Sequence, residues 1–297
     1  MQNPLISVVM VIFLLVTGYI SGKRSNPKLK NYLASCISGV VLLLLIFMGI
    51  DFGAVFTQQE VGCQIIKSAL GLSAFIALFT YFFLYRKHRE PSKKNDNLSF
   101  FSPLKGCFKA IIAFIFGVSI FKITGFQLEK VHFSSSYILY LLIYLVGIDL
   151  VNFKIFKLKR ELISVPVITI LATIAADFSF SAVSHFSWRE LIVVSSGFGW
   201  FSLSGSMVNK LVSPEMGAMA FMTDFFREMF SIMFLYFLGK KQPASAIGIS
   251  GAAAMDSALP FIKENCEDSF ISYAIVSGFI LTVLAPFFIS LSVTILR

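Results

Sequence analysis

Three ionisable residues share one turn of an otherwise apolar stretch. In AFMTDFFREMFSIMFLYF (220–237), Asp224, Arg227 and Glu228 fall at i, i+3 and i+4, which is one helix face. Charges at membrane depth cost at least about 2.5–3.5 kcal/mol each on insertion scales, so such residues are rarely idle. Arg227 neutralises one carboxylate and leaves one net negative charge, the chemistry of a proton or cation site. The same trio also reads as an ion-pair cluster locking two helices. Asp256 lies in AAAMDSALP, among small residues. An aspartate beside unwound backbone coordinates an ammonium, binds a proton or caps a half-helix. Gly199, Trp200, Ser202 and Ser204 in GFGWFSLSG, together with Ser257, are candidates to line a cavity; Trp200 also reads as an interface anchor, with the surrounding glycines favouring the cavity. Asp51 and Asp149 each end a Gly-Ile-Asp motif and read either as gate or coupling residues or as interfacial acids. Asp177, near the end of its apolar stretch, reads as interfacial.

The elements that hold these residues are apolar helices. Of 297 residues, 57% are hydrophobic and 14% charged, and the mean hydropathy is +0.82. A soluble domain carries roughly 25% charged residues, so most of this surface must face lipid. The net charge of +9 is not a nucleic-acid footprint, because the Lys and Arg lie in short runs between apolar stretches. The four cysteines and three histidines show no clustered metal-ligand spacing, and no phosphate-binding GxxxxGK[ST] loop occurs, so neither metal nor cofactor is expected. Lys23 and Arg24 follow the first apolar stretch, which makes it a retained helix with its N-terminus outside.

Apolar stretches run over 5–21, 33–52, 64–85, 107–121, 136–150, 162–180, 190–208, 216–238, 244–262 and 270–294. The basic runs at 23–30, 86–109, 154–160 and 240–241 all fall in the cytoplasm if 190–208 and 244–262 are re-entrant hairpins. Both of those stretches are rich in Gly, Ser and Ala, which permits tight turns and unwound backbone around an enclosed cavity. Two ordinary helices with close small-residue packing are the plainer alternative. The expected fold is therefore all-α and polytopic, with about eight transmembrane helices plus two re-entrant or broken hairpins, and both termini outside. FMGIDF (47–52) recurs as LVGIDL (145–150), and Gly18 finds Gly117. Three spans per unit make the second copy inverted, a pattern of secondary transporters. A weaker repeat links Ser196-Gly197 with Ser250-Gly251 and Ala220 with Ala274. Three units follow: 1–105 with a solvated linker at 88–103, the inverted unit 106–185, and a hairpin-helix-hairpin-helix core at 186–297.

SGFGWFSLSG, then FMTDFFRE, then GISGAAAMDSALPFI, in that order, resemble the LysO lysine exporter family. The resemblance covers about 190–290 in its motifs and the earlier part mainly in its span pattern. It implies export of L-lysine and toxic lysine analogues from the bacterial cytoplasm across the inner membrane, with an essential intramembrane acid carried here by Asp256. The residue chemistry fits: Asp224, Glu228 and Asp256 would meet the ammonium groups of lysine and Arg227 its carboxylate, with protons competing for the same carboxylates in an antiport. The expected partners are lysine, protons and the bilayer, with a homo-oligomer compatible and nucleic acid excluded. Arginine, ornithine or an organic acid is the alternative cargo. A membrane enzyme is disfavoured, because no His lies mid-span and no paired-Asp motif is present.

Overall fold

The computed structural model describes residues 4–85, 101–128, 133–149, 151 and 160–296. The expected linker at 88–103 and the basic run at 154–160 lie almost wholly outside these residues. Among the described residues the secondary structure is entirely helical, without a strand. The helices are α1 (Pro4–Arg24), α2 (Pro27–Asp51), α3 (Gly53–Thr57), α4 (Gln59–Leu84), α5 (Phe101–Thr124), α6 (Ser135–Asp149), α7 (Arg160–Ser181), α8 (Trp188–Ser195), α9 (Phe201–Leu211), α10 (Pro214–Leu238), α11 (Pro243–Ser250), α12 (Leu259–Asn265) and α13 (Ser269–Leu296), with a 3-10 turn at Gly251–Met255.

Local chemistry sets several of these boundaries. Ser187 and Glu190 form a reciprocal capping box that starts α8. Ser213 caps α10, whose first residue is Pro214, and Pro243 opens α11 in the same way. Pro260 sits in the first turn of α12. Among the described residues, three helical segments are long and apolar enough to cross a membrane: Gln59–Leu84, Leu162–Ser181 and Ser269–Leu296. The surface agrees with that chemistry. Phe13, Phe82, Ile112, Leu171, Phe237 and Leu291 are exposed, whereas Asp177, Asp224, Arg227 and Glu228 are buried. Polar groups inside and large apolar ones outside suit a hydrocarbon solvent.

Glycines bring two pairs of helices into backbone contact. A Cβ at Gly18 would lie 2.3 Å from the Tyr144 carbonyl oxygen and 3.1 Å from Gly147 Cα, so α1 packs directly on α6. A Cβ at Gly117 would lie 2.0 Å from the Ile46 oxygen and 3.0 Å from Gly49 Cα, so α5 packs on α2 in the same way. These are the glycines matched in the repeat, and the two contacts correspond residue for residue. Only glycine allows backbones to approach this closely. Gly117→Ala must therefore push α5 away from α2 and cost about 1–3 kcal/mol, as overpacking does. Thermal denaturation of the purified protein in detergent checks this, and Gly18→Ala should fall by a similar amount.

Both stretches rich in small residues are interrupted helices. The break between α8 and α9 contains Phe198 and Gly199 with φ of 49° and 94°, and the break after α11 opens on Gly251 with φ 61°. These left-handed values suit glycine and are costly for Phe198. Each bent segment meets one end of α10. A Cβ at Gly217 would touch the Asn209 backbone, so α9 ends beside the beginning of α10, and a Cβ at Gly239 would lie 3.1 Å from Asn265 Cβ. Thus 243–265 leaves the end of α10 and returns to it. The two breaks meet: the Ala252 N–H donates to the Phe198 carbonyl at 2.8 Å, and a Cβ at Gly251 would lie 2.0 Å from that same oxygen.

Candidate functional site

The middle of α10 holds the junction of the two breaks. The Gly199 N–H, just ahead of α9, donates to Asp224 Oδ1 at 2.8 Å. Arg227 Nε donates to the Ile249 carbonyl at 2.9 Å, and its Nη2 donates to the Gly248 carbonyl at 3.1 Å. An anion thus sits at the N-terminal end of one half-helix and a cation at the C-terminal end of another. Both match the partial charges left by unpaired peptide groups at helix ends. Asp224 and Arg227 are fully buried.

Beside this junction lies a cavity of about 580 Å³, in the size range of small-ligand sites. Its wall includes Gly199, Trp200 and Ser202 from the first break and α9, Glu228 from α10, and Asp256 and Ser257 from the second break. Lys109 of α5 and Glu264 of α12 also border it. Three carboxylates and one ammonium therefore face one space. Glu228 is buried, with Oε2 lacking a hydrogen-bond partner among the described residues. Its carboxylate interacts with Ser257 and lies within electrostatic reach of Asp256. Asp256 and Ser257 are themselves exposed to the cavity. An unpaired buried carboxylate oxygen is expensive unless a cation or proton joins it.

Of the residues singled out from sequence, Gly199, Trp200, Ser202, Glu228, Asp256 and Ser257 converge on this cavity. Asp224, Arg227 and Ser204 do not line it. The Ser204 hydroxyl is turned toward backbone, 3.3 Å from the Phe201 carbonyl and 3.5 Å from that of Ala220. Asp149, half-buried at the end of α6, lies within electrostatic reach of Asp256. Asp51 is instead tied to the start of α6, where the Ser135 hydroxyl donates to its Oδ2 at 2.5 Å. Asp177, expected at an interface, is fully buried. The reason is packing: α7 lies against α4, α8, α11 and α13, and the Ser195 hydroxyl at the end of α8 reaches Asp177.

Sequence reasoning missed Lys109 and Glu264 as cavity residues. Both sit at the ends of apolar stretches, where a charge ordinarily signals solvation. Their signal would have been proximity to Asp256 within its own segment for Glu264. Lys109 carried none.

Comparison with known proteins agrees with the motif resemblance. The family model described as lysine exporter LysO matches residues 111–293. The chain is 28% identical over 289 residues to the lysine exporter LysO of Escherichia coli (strain K12), covering 93% of this chain and 95% of that protein. It is 29% identical over 157 residues to a putative lysine exporter of Haemophilus influenzae (strain ATCC 51907 / DSM 11121 / KW20 / Rd), covering 52% of this chain and 80% of that protein. No solved structure matches. With its apolar helices, its buried charges and a family match over more than half its length, this chain is an integral membrane protein belonging to the lysine exporter LysO family.

Proposed function

We propose that the chain is a secondary-active exporter of L-lysine from the bacterial cytoplasm, working as a lysine/proton antiporter in the inner membrane. The observation that carries this reading is the cavity where two broken helices meet, with Glu228, Asp256 and Glu264 facing one space. Lysine offers two ammonium groups and one carboxylate. Glu228 and Asp256 pair with ammonium groups, while Lys109 meets the carboxylate near the mouth. A proton and an ammonium satisfy the same carboxylate oxygen, so binding of one excludes the other. Alternating exposure of this cavity to the two faces then exchanges lysine for protons. The membership of the lysine exporter family supports the cargo, and lysine analogues share its chemistry.

The topology behind this reading has eight spans: α1, α2, α4, α5, α6, α7, α10 and α13. The segments 188–211 and 243–265 are re-entrant and enter from opposite faces, with both termini outside. The return of Asn265 to the end of α10 supports this. The matched glycine contacts support inverted units at 1–105 and 106–185, followed by the transport core at 186–297. In this arrangement Asp224 and Arg227 hold the two breaks together, and Glu228 and Asp256 do the binding. Asp149 is a candidate gate beside Asp256.

The test is lysine flux in proteoliposomes carrying the native chain under an imposed pH gradient. We expect lysine uptake driven by the gradient and competed by the lysine analogue S-aminoethylcysteine. Flux of arginine or an organic acid without flux of lysine would overturn the cargo. Lysine flux indifferent to the pH gradient would overturn the antiport.

A further inference from the structure

A second acidic centre lies outside the cavity. On α7, Thr169, Thr173 and Asp177 recur every four residues and are all buried, and Thr169 and the buried Thr80 of α4 both border Gly248 of α11. Asp177 is 0% exposed. Its Oδ2 accepts the Ser195 hydroxyl at 2.7 Å, and its Oδ1 has no partner among the described residues. Arg227 is within electrostatic reach of both Asp177 and Asp224, and its Nη1 is likewise without a partner. Two carboxylates thus share one guanidinium in a site without solvent. A buried net negative charge is costly, so one of the two acids must carry a proton.

The hydrogen bonds decide which. Asp224 accepts a backbone N–H at the start of a half-helix, an interaction that favours the anion. Asp177 meets a hydroxyl, which accepts a proton as readily as it donates one. The other elements packed on α7 offer Asp177 no countercharge. Among the described residues α11 carries no ionisable side chain and α13 only Tyr273. On α8, Arg189 is exposed and Glu190 is engaged in its capping box; on α4, Glu60 and Lys67 are exposed.

We propose that Asp177 is a second proton-binding carboxyl, neutral in this conformation, which exchanges its proton with water as the 188–211 segment moves. Its partner Ser195 is the last residue of α8 and adjoins the break at Phe198 and Gly199. Displacement of that break carries Ser195 away from α7, breaks its hydrogen bond to Oδ2 and opens the buried carboxyl to water, which solvates the anion. Release breaks the Oδ–H bond, leaves the electron pair on the carboxylate and passes the proton to water. Thr80 of α4 and Thr169 of α7 each hold a buried hydroxyl without a partner among the described residues, and with Thr173 they supply polar groups for that transfer. The coupling part of this proposal rests on the antiport reading, whereas the protonation part stands without it.

Infrared difference spectroscopy of native protein and Asp177→Asn, purified in lipid at neutral pH, tests the protonation. The native protein should show the C=O band of a protonated carboxyl that the variant lacks. An unchanged carboxyl region overturns the proposal, whether or not lysine is the cargo. In proteoliposomes, Asp177→Asn should keep lysine counterflow near the native level and lose pH-driven net flux by about tenfold or more. Native-like driven flux in that variant overturns the coupling role. Asp177→Glu should retain coupling. If Asp177→Asn fails to fold, Ser195→Ala serves: the carboxyl band should shift in frequency, and an unshifted band overturns the assignment. Absence of lysine counterflow in the native protein would sink the cargo reading alone, because the infrared result still decides the protonation.

Discussion

Proteoliposomes carrying Asp256→Asn will show pH-driven lysine flux no higher than empty vesicles, while the variant purifies and melts like the native protein. The side chain is exposed to the cavity, and the isosteric amide keeps the shape of the wall. What disappears is a charge. An ammonium bound to a carboxylate gains about 1.5–3 kcal/mol as a charge-assisted hydrogen bond, which is roughly 10–150-fold in affinity. The amide also cannot take up a proton, so the exchange half of the cycle fails as well. Glu228→Gln should resemble it in flux and differ in stability. Glu228 is buried with an unpartnered oxygen, and neutralising it removes a desolvation cost. We therefore expect Glu228→Gln to melt higher than the native protein. Equal melting temperatures, with flux intact, would remove Glu228 from the site.

The second large effect belongs to Arg227 and is one of folding. Arg227→Met removes the donors on the Gly248 and Ile249 carbonyls and the countercharge for Asp224 at one stroke. Breaking a buried charge set by deleting one partner costs about 3–5 kcal/mol. The variant should lose much of its folded yield, read by size-exclusion chromatography and thermal denaturation. Adding Asp224→Asn should recover part of that loss, because the orphaned anion is removed too. A variant as stable as the native protein would mean that the clamp across the two breaks is unimportant. Lysine affinity in whatever fraction folds should stay close to native, since Arg227 does not line the cavity.

Much of this was legible in the residues. Apolar stretches located the helices because only helices satisfy backbone groups in hydrocarbon. The interrupted segments were readable as well, since GFG and GISG supply the backbone freedom that Gly199 and Gly251 use. The division of labour on α10 was not. Spacing put Asp224, Arg227 and Glu228 on one face, but Arg227 and Glu228 differ by about 100° around the axis. That angle is enough to send the guanidinium to the α11 carbonyls and the carboxylate into the cavity. Asp177 escaped for a different reason. Position within an apolar stretch measures distance from its end, and burial depends on which helices cover that end.

The glycine contacts also bear on how the chain is made. The close partner of Gly18 in α1 is Gly147 in α6, and that of Gly49 in α2 is Gly117 in α5. During synthesis the first two helices therefore enter the bilayer before either of their tight neighbours exists. Their glycine grooves face lipid until the ribosome has delivered the partners, which lie 68 residues after Gly49 and 129 residues after Gly18. Biogenesis of this protein has an interval in which its early helices are inserted yet unassembled, and quality-control proteases have their best access to it then.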